Sequence, residues 1–168
     1  MMKNSIVVLI ALSLTSCAFH SFALQQAPDK RLLELQKEQD KLKRTTDPVD
    51  HAKSDIKISE ILISLVSDAA RTGDLEMMDK RLGEYTSAIQ DAHDTLTKTG
   101  RDARKKPHGF KDLEISLRRQ INQLKDIGGA LTVDDREPVE KARSEATRIR
   151  DDLLKALFGS QDATPHAA

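Results

Sequence analysis

The sequence predicts an all-α fold: an antiparallel helical bundle of four to five helices following an N-terminal signal peptide. Three observations carry this. Apolar residues recur every three or four positions through long segments, which is the helical period. Aromatic residues make up only 3% of the 168 positions, with no Trp and one Tyr, whereas strands favour aromatic and β-branched side chains. Charged residues reach 32% and apolar ones 38%, which suits solvated helices around one core and is too apolar for a disordered chain.

Residues 1–23 read as an export signal, with Lys3 at the tip and the apolar run "IVVLIALSL" at 6–14. That run is too short to cross a bilayer, which takes about 20 apolar residues. Two cleavage sites compete. "LTSC" (14–17) resembles a bacterial lipobox, in which Cys17 becomes lipidated. "SFA" (21–23) fits the small-x-small rule of ordinary signal peptidase. Cys17 is the only cysteine, so it has no intramolecular disulfide partner; lipidation or removal with the signal accounts for it. A leader at 24–28 then precedes the bundle domain at 29–159, and 160–168 reads as a disordered tail.

The first helix is expected over 29–44, with Leu32, Leu35 and Leu42 inward and Leu33 widening the stripe. The second opens at Asp47, a good N-cap, with Pro48 at the first helical position. Its stripe is Val49, Ala52, Ile56, Ser59, Ile63, Val66 and Ala70, flanked by Ile58, Leu62, Leu65 and Ala69; Gly73 closes it. The third starts at once on Asp74. Leu75, Met78, Leu82, Tyr85, Ile89, Ala92 and Leu96 step by three and four without a miss. A fourth helix over 110–127 turns Phe110, Leu113, Leu117, Ile121 and Leu124 inward, and "GG" at 128–129 is expected to break it. A fifth over 138–158 turns in Val139, Ala142, Ala146, Ile149, Leu153 and Leu157.

"DPVDHAKSD" (47–55) echoes "EPVEKARSE" (137–145) by identity or like charge at every place. Convergence on a good helix start explains this, and so does an old duplication.

No constellation for catalysis stands out. No serine sits in a Gly-flanked elbow, and no Gly-rich phosphate loop follows a strand. His51 and His93 have acids nearby, but no HxxxH or ExxH spacing sets two metal ligands on one face. Met77, Met78 and His93 are the only conceivable cofactor ligands, and methionines at helical spacing are ordinary core residues. No cofactor and no metal are expected.

One feature rises above background. Lys98, Arg101, Arg104, Lys105, Lys106 and Lys111 crowd a loop where only Asp102 and Asp112 offset them. Cations suit the C-terminus of the third helix, which accounts for Lys98 and Arg101. It does not account for Lys105, Lys106 and Lys111 near the start of the fourth. Arg118 and Arg119 extend the candidate contact surface along that helix. No aromatics interleave, which argues against nucleic acid. The whole chain is formally neutral, so no global field steers it to a membrane.

The expected function is an exported, non-enzymatic binding or scaffolding protein of the bacterial cell envelope, in the periplasm or at the outer membrane. Its partner is an envelope protein or an anionic envelope surface, met through the basic loop. It meets the membrane only through a lipid on Cys17. Self-association through a coiled-coil seam on the third helix is a second expectation. A periplasmic metal or cofactor carrier is a third.

Overall fold

The computed structural model describes residues 29–159. The export signal, both cleavage sites, Cys17, the leader and the 160–168 tail lie outside the described residues. Within them the chain is all-α, with α1 (Lys30–Leu42), α2 (Pro48–Thr72), α3 (Leu75–Thr97), α4 (Phe110–Ala130) and α5 (Glu137–Phe158).

Local chemistry sets the starts and stops. The Asp47 carboxylate accepts from the backbone N–H groups of Val49 and Asp50 at 2.9 and 3.0 Å, filling orphan donors at the start of α2. Gly73 adopts φ 73° and ends α2. Asp74 then caps α3 by accepting from Met77 N at 3.0 Å. The reversal between α2 and α3 therefore takes two residues.

One expected boundary moves. Gly128 and Gly129 do not break α4, which runs through them to Ala130. A Cβ at Gly128 would lie 3.1 Å from Glu140 Oε1 and 3.6 Å from Val139 Cγ1. That glycine admits the first turn of α5 to close range.

The helices pair as α1–α2, α2–α3, α4–α5, α3–α5 and α2–α4, with a smaller contact between α3 and α4. Within α2–α3 the directions oppose. Across the two hairpins they agree: Ser59 and Glu60 meet Gln120 and Arg119, while Ile63 to Arg71 flank Gln123 to Leu131 higher up. Gln90 likewise meets Arg148, and Leu82 faces Pro138 and Ala142. Neighbours in α2–α4 and α3–α5 thus run parallel, and the loop at 98–109 crosses the end of the bundle.

The α3 stripe is consumed in this core. Met78, Leu82, Tyr85, Ile89, Ala92 and Leu96 are each at most 3% exposed, while Leu75 is half out. They meet Leu62, Val66, Phe110, Leu113, Leu117, Ile149 and Leu153, which are also buried. No part of that seam except Leu75 faces solvent.

α1 packs on α2 alone. Only Leu35 of its expected stripe is buried; Leu42 is half-buried, and Leu32 and Leu33 are exposed. Position 61 lies on the same α2 face as Lys57, Ser64 and Asp68, which bond to α1, so Ile61, absent from the expected stripe, is buried, while Ile56 is only half-buried.

The 47–55 and 137–145 echo agrees in its apolar positions and differs at its two ends. Val49 and Val139 are both buried, as are Ala52 and Ala142. However, Asp47 caps α2 with its side chain, whereas Glu137 lies inside the first turn of α5 and Arg136 holds the cap position without a side-chain bond. Asp55 is buried and Glu145 is not.

Candidate functional site

The crossing loop is tied to the bundle end at a few points. Thr99 Oγ1 donates to Leu96 O at 2.7 Å as α3 frays. Asp102 organises the next turn: its Oδ1 accepts from Arg104 N at 2.9 Å, and its backbone carbonyl accepts from Lys106 N at 2.9 Å. Ala103 is buried and anchors the turn. Gly109, at φ 85°, swings the chain into α4, and its N–H donates to Asp112 Oδ2 at 3.3 Å. A Cβ there would fall 2.7 Å from Leu96 Cδ2, so only glycine fits between the end of α3 and the start of α4.

The structure divides the eight cations of this region. Lys98 Nζ pairs with Asp94 Oδ2 at 3.3 Å, and Lys105 Nζ stands 3.8 Å from Asp102 Oδ2. The hydrogen bond from Gln90, then that from Lys98, holds the Asp94 carboxyl below the usual range. Arg104 lies over the C-terminal end of α5, where a Cβ at Gly159 would be 2.5 Å from its Nη2. That end of a helix carries partial negative charge. The Arg101 side chain is partly covered, and its Nε is buried without a hydrogen-bond partner among the described residues. Lys106 and Lys111 are exposed and pair with no acid among the described residues.

Arg118 and Arg119 are not brought to the loop. They sit roughly 12 Å up α4 from its start, at 1.5 Å per residue. Arg118 Nη2 is 2.7 Å from Glu114 Oε2, and Arg119 Nη2 is 2.6 Å from Glu60 Oε1. Glu114 is buried and also meets Arg150 Nε at 3.3 Å, so these arginines serve the α4–α5 and α2–α4 seams.

Apart from Ser59, which belongs to the expected α2 stripe, sequence reasoning missed the buried polar groups. Gln120 Nε2 donates to Ser59 Oγ at 2.8 Å and Ser116 Oγ at 3.0 Å, and Ser116 Oγ donates to Glu60 Oε1 at 2.9 Å. Asp55 is 2% exposed, with His51 Nδ1 3.1 Å from its Oδ2. Burial pushes the Asp55 carboxyl up to about 6, against the pull of His51 and with a push from the Asp91 charge. The signal for Asp55 was present: it falls three and seven residues before Ile58 and Leu62.

His51 is partly exposed and His108 well exposed, whereas the His93 ring is only 14% exposed and lies close to Asp94. Among the described residues no three His, Cys, Asp or Glu side chains gather closely enough to hold a metal ion. None of the described helices is long and apolar enough to cross a membrane. Open grooves of about 760 and 630 Å³ follow the parallel α3–α5 and α2–α4 seams. No family model, curated protein or solved structure matches this chain.

Proposed function

We propose that this chain is an exported, non-enzymatic binding or scaffolding module of the bacterial cell envelope that meets an anionic partner through the basic end of its bundle. Export rests on the signal-like residues 1–23, and attachment by lipid rests on Cys17 in "LTSC".

One observation carries the contact surface. Most arginines along the helices are engaged by acids, as Arg31, Arg81, Arg143, Arg148 and Arg150 are. Arg104, Lys106 and Lys111 are exposed at the bundle end with no acid partner among the described residues. Packing and helix capping leave Lys106 and Lys111 unused, and several contacts of this kind sum to a salt-sensitive attraction for anions. Arg101 and Lys105 complete the surface, with Lys105 held only loosely by Asp102.

The place where the chain joins the bundle adds to this reading. Arg31 clasps Asp68 near the C-terminal end of α2, so Asp29 lies at the pole opposite the basic loop.

The test is sedimentation with anionic and neutral vesicles and with acidic envelope polymers. Lys105→Glu with Lys106→Glu should weaken binding to the anionic targets by about tenfold at low salt. Binding that ignores both the substitutions and added salt would remove the electrostatic reading.

A further inference from the structure

The described residues hold three aromatic side chains, Tyr85, Phe110 and Phe158. Tyr85 and Phe110 lie in the core, at most 2% exposed. Phe158, the last residue of α5, is 72% exposed. The inner face of α5 does not need it, since Leu153 and Leu157 already meet the core. A single exposed apolar side chain is ordinary on a protein surface, but the setting of this one is not.

Phe158 stands at the basic end of the bundle. The next residue, Gly159, lies against Arg104, where a Cβ would be 2.5 Å from Nη2. This end keeps a positive surplus when its charged neighbours are counted. Residues 94–112 carry Lys98, Arg101, Arg104, Lys105, Lys106 and Lys111 against Asp94, Asp102 and Asp112, six against three. The flanking stretches at the same end, residues 40–53 and 151–159, carry five cations against five acids and cancel. Arg104, Lys105, Lys106 and Lys111 are exposed. The α3–α5 and α2–α4 grooves are lined by other residues, so this charge belongs to neither of them.

An aromatic ring beside exposed lysines suits one kind of anion. Lys is a hydrated point charge that attracts without fixed geometry, and it is depleted at protein–protein interfaces. An acidic polymer in water offers anions but nowhere to bury a Phe. An anionic bilayer offers both, with headgroups for the cations and an apolar layer just beneath them for the ring. We propose that the basic end of the bundle docks on an anionic lipid bilayer, with Phe158 entering between the headgroups. This rests on the reading above that the basic end contacts anions, and it names the anion as a lipid headgroup surface. The cations supply an attraction that salt screens, and the ring supplies a contact that salt does not.

The chain has no Trp, so Phe158→Trp gives it a single indole at the point of entry. The variant is mixed with vesicles of phosphatidylcholine, alone or with phosphatidylglycerol, at about 20 and about 300 mM salt, where screening lengths differ several-fold. The expected result at low salt is a blue shift of the indole with phosphatidylglycerol, and quenching by brominated acyl chains. Phosphatidylcholine alone should give neither. Adding Lys105→Glu and Lys106→Glu should raise the lipid concentration needed for the shift about tenfold. Circular dichroism checks that each variant is folded. The indole reports on position 158 itself, whatever else holds the chain to a vesicle. An indole that stays in water beside anionic vesicles overturns the proposal. So does a shift that is equal in neutral and anionic vesicles, or one indifferent to salt and to both lysine changes. Calorimetry with polyphosphate separates the two readings. If polyphosphate binds in a salt-sensitive way that Lys105→Glu with Lys106→Glu weakens, while the indole stays in water beside vesicles, the lipid contact fails and the anion-contact reading stands. If neither polyphosphate nor anionic vesicles engage the basic end, both fail.

Discussion

Tyr85 on α3 donates its hydroxyl proton to Gln120 Oε1 on α4 at 3.1 Å, across the centre of the bundle. Both side chains are at most 1% exposed. Gln120 passes the connection to Ser59 and Ser116, so a single chain of hydrogen bonds joins α3, α4 and α2. Because every donor finds an acceptor, the chain ties three helices in one register at little net cost.

Removing one end of it leaves a buried acceptor without a donor. Tyr85→Phe keeps the ring and deletes the hydroxyl, so Gln120 Oε1 loses its partner. The expected loss is about 1–2 kcal/mol. Urea unfolding should show a lower midpoint at unchanged slope. An unchanged midpoint would mean that water replaces the phenol.

The same tyrosine reports on alkaline stability. Burial pushes the Tyr85 phenol well above its ordinary value of 10.0. The unfolded chain then loses the phenolic proton first as pH rises through 10, and the folded chain keeps it. Stability from this group is complete below pH 10 and drains away above it. Tyr85 is the only tyrosine, so phenolate absorbance follows it alone. Its appearance should coincide with loss of helical circular dichroism. Phenolate forming in a still-helical protein near pH 10 would contradict the buried position.

Asp55 has the opposite consequence near neutrality. Its carboxyl stands at about 6 in the fold, against 3.8 for an ordinary Asp. Between those values the unfolded chain releases its proton first, so this group costs stability as pH rises from about 4 to 6. The penalty is absent below pH 4 and constant above 6. Asp55→Asn keeps an acceptor for His51 and cannot ionise. It should stabilise the protein by roughly 1–2 kcal/mol at pH 7.5 and by nothing at pH 3.5. Thermal melts at the two pH values decide it, and a variant weaker at pH 7.5 alone would show that His51 compensates the carboxylate.

α1 should be the first element to open. Arg31 Nη2 lies 2.6 Å from Asp29 Oδ2 and 2.5 Å from Asp68 Oδ2, while its Nη1 donates to Ser64 at 2.9 Å. Beyond that clasp, Leu35 is the only fully buried side chain of α1. Arg31→Ala should raise amide exchange across 30–42 by about tenfold and leave α2–α5 unchanged. Equal acceleration in every helix would mean that α1 belongs to the cooperative core.

Gly109→Ala should be costly for its size. Position 109 needs φ 85°, and the new methyl would meet Leu96 Cδ2 at 2.7 Å. Left-handed strain and overpacking together predict a loss of about 2–3 kcal/mol. Gly100, also at positive φ but with open space around it, should lose only about 1 kcal/mol on the same change.

Much of this molecule was legible before any coordinates. The Asp47–Pro48 start, the Gly73–Asp74 reversal and the α3 stripe follow from local rules: capping, the fixed φ of proline, the freedom of glycine and a 3.6-residue period. Those rules act between residues a few positions apart, so the sequence carries them in full. The 128–129 glycines looked like a stop because glycine is a poor helix former, and only the approach of Val139 and Glu140 shows why Gly128 sits inside α4. The partnering of Arg119 was hidden for the same reason, since Glu60 lies more than fifty residues away along the chain, whereas Arg118 pairs with Glu114 only four residues before it. The parallel seating of α2 on α4 and the burial of Gln120 belong to the tertiary structure alone. They depend on which faces meet across the bundle, and periodicity says that a face is apolar without saying which partner will cover it.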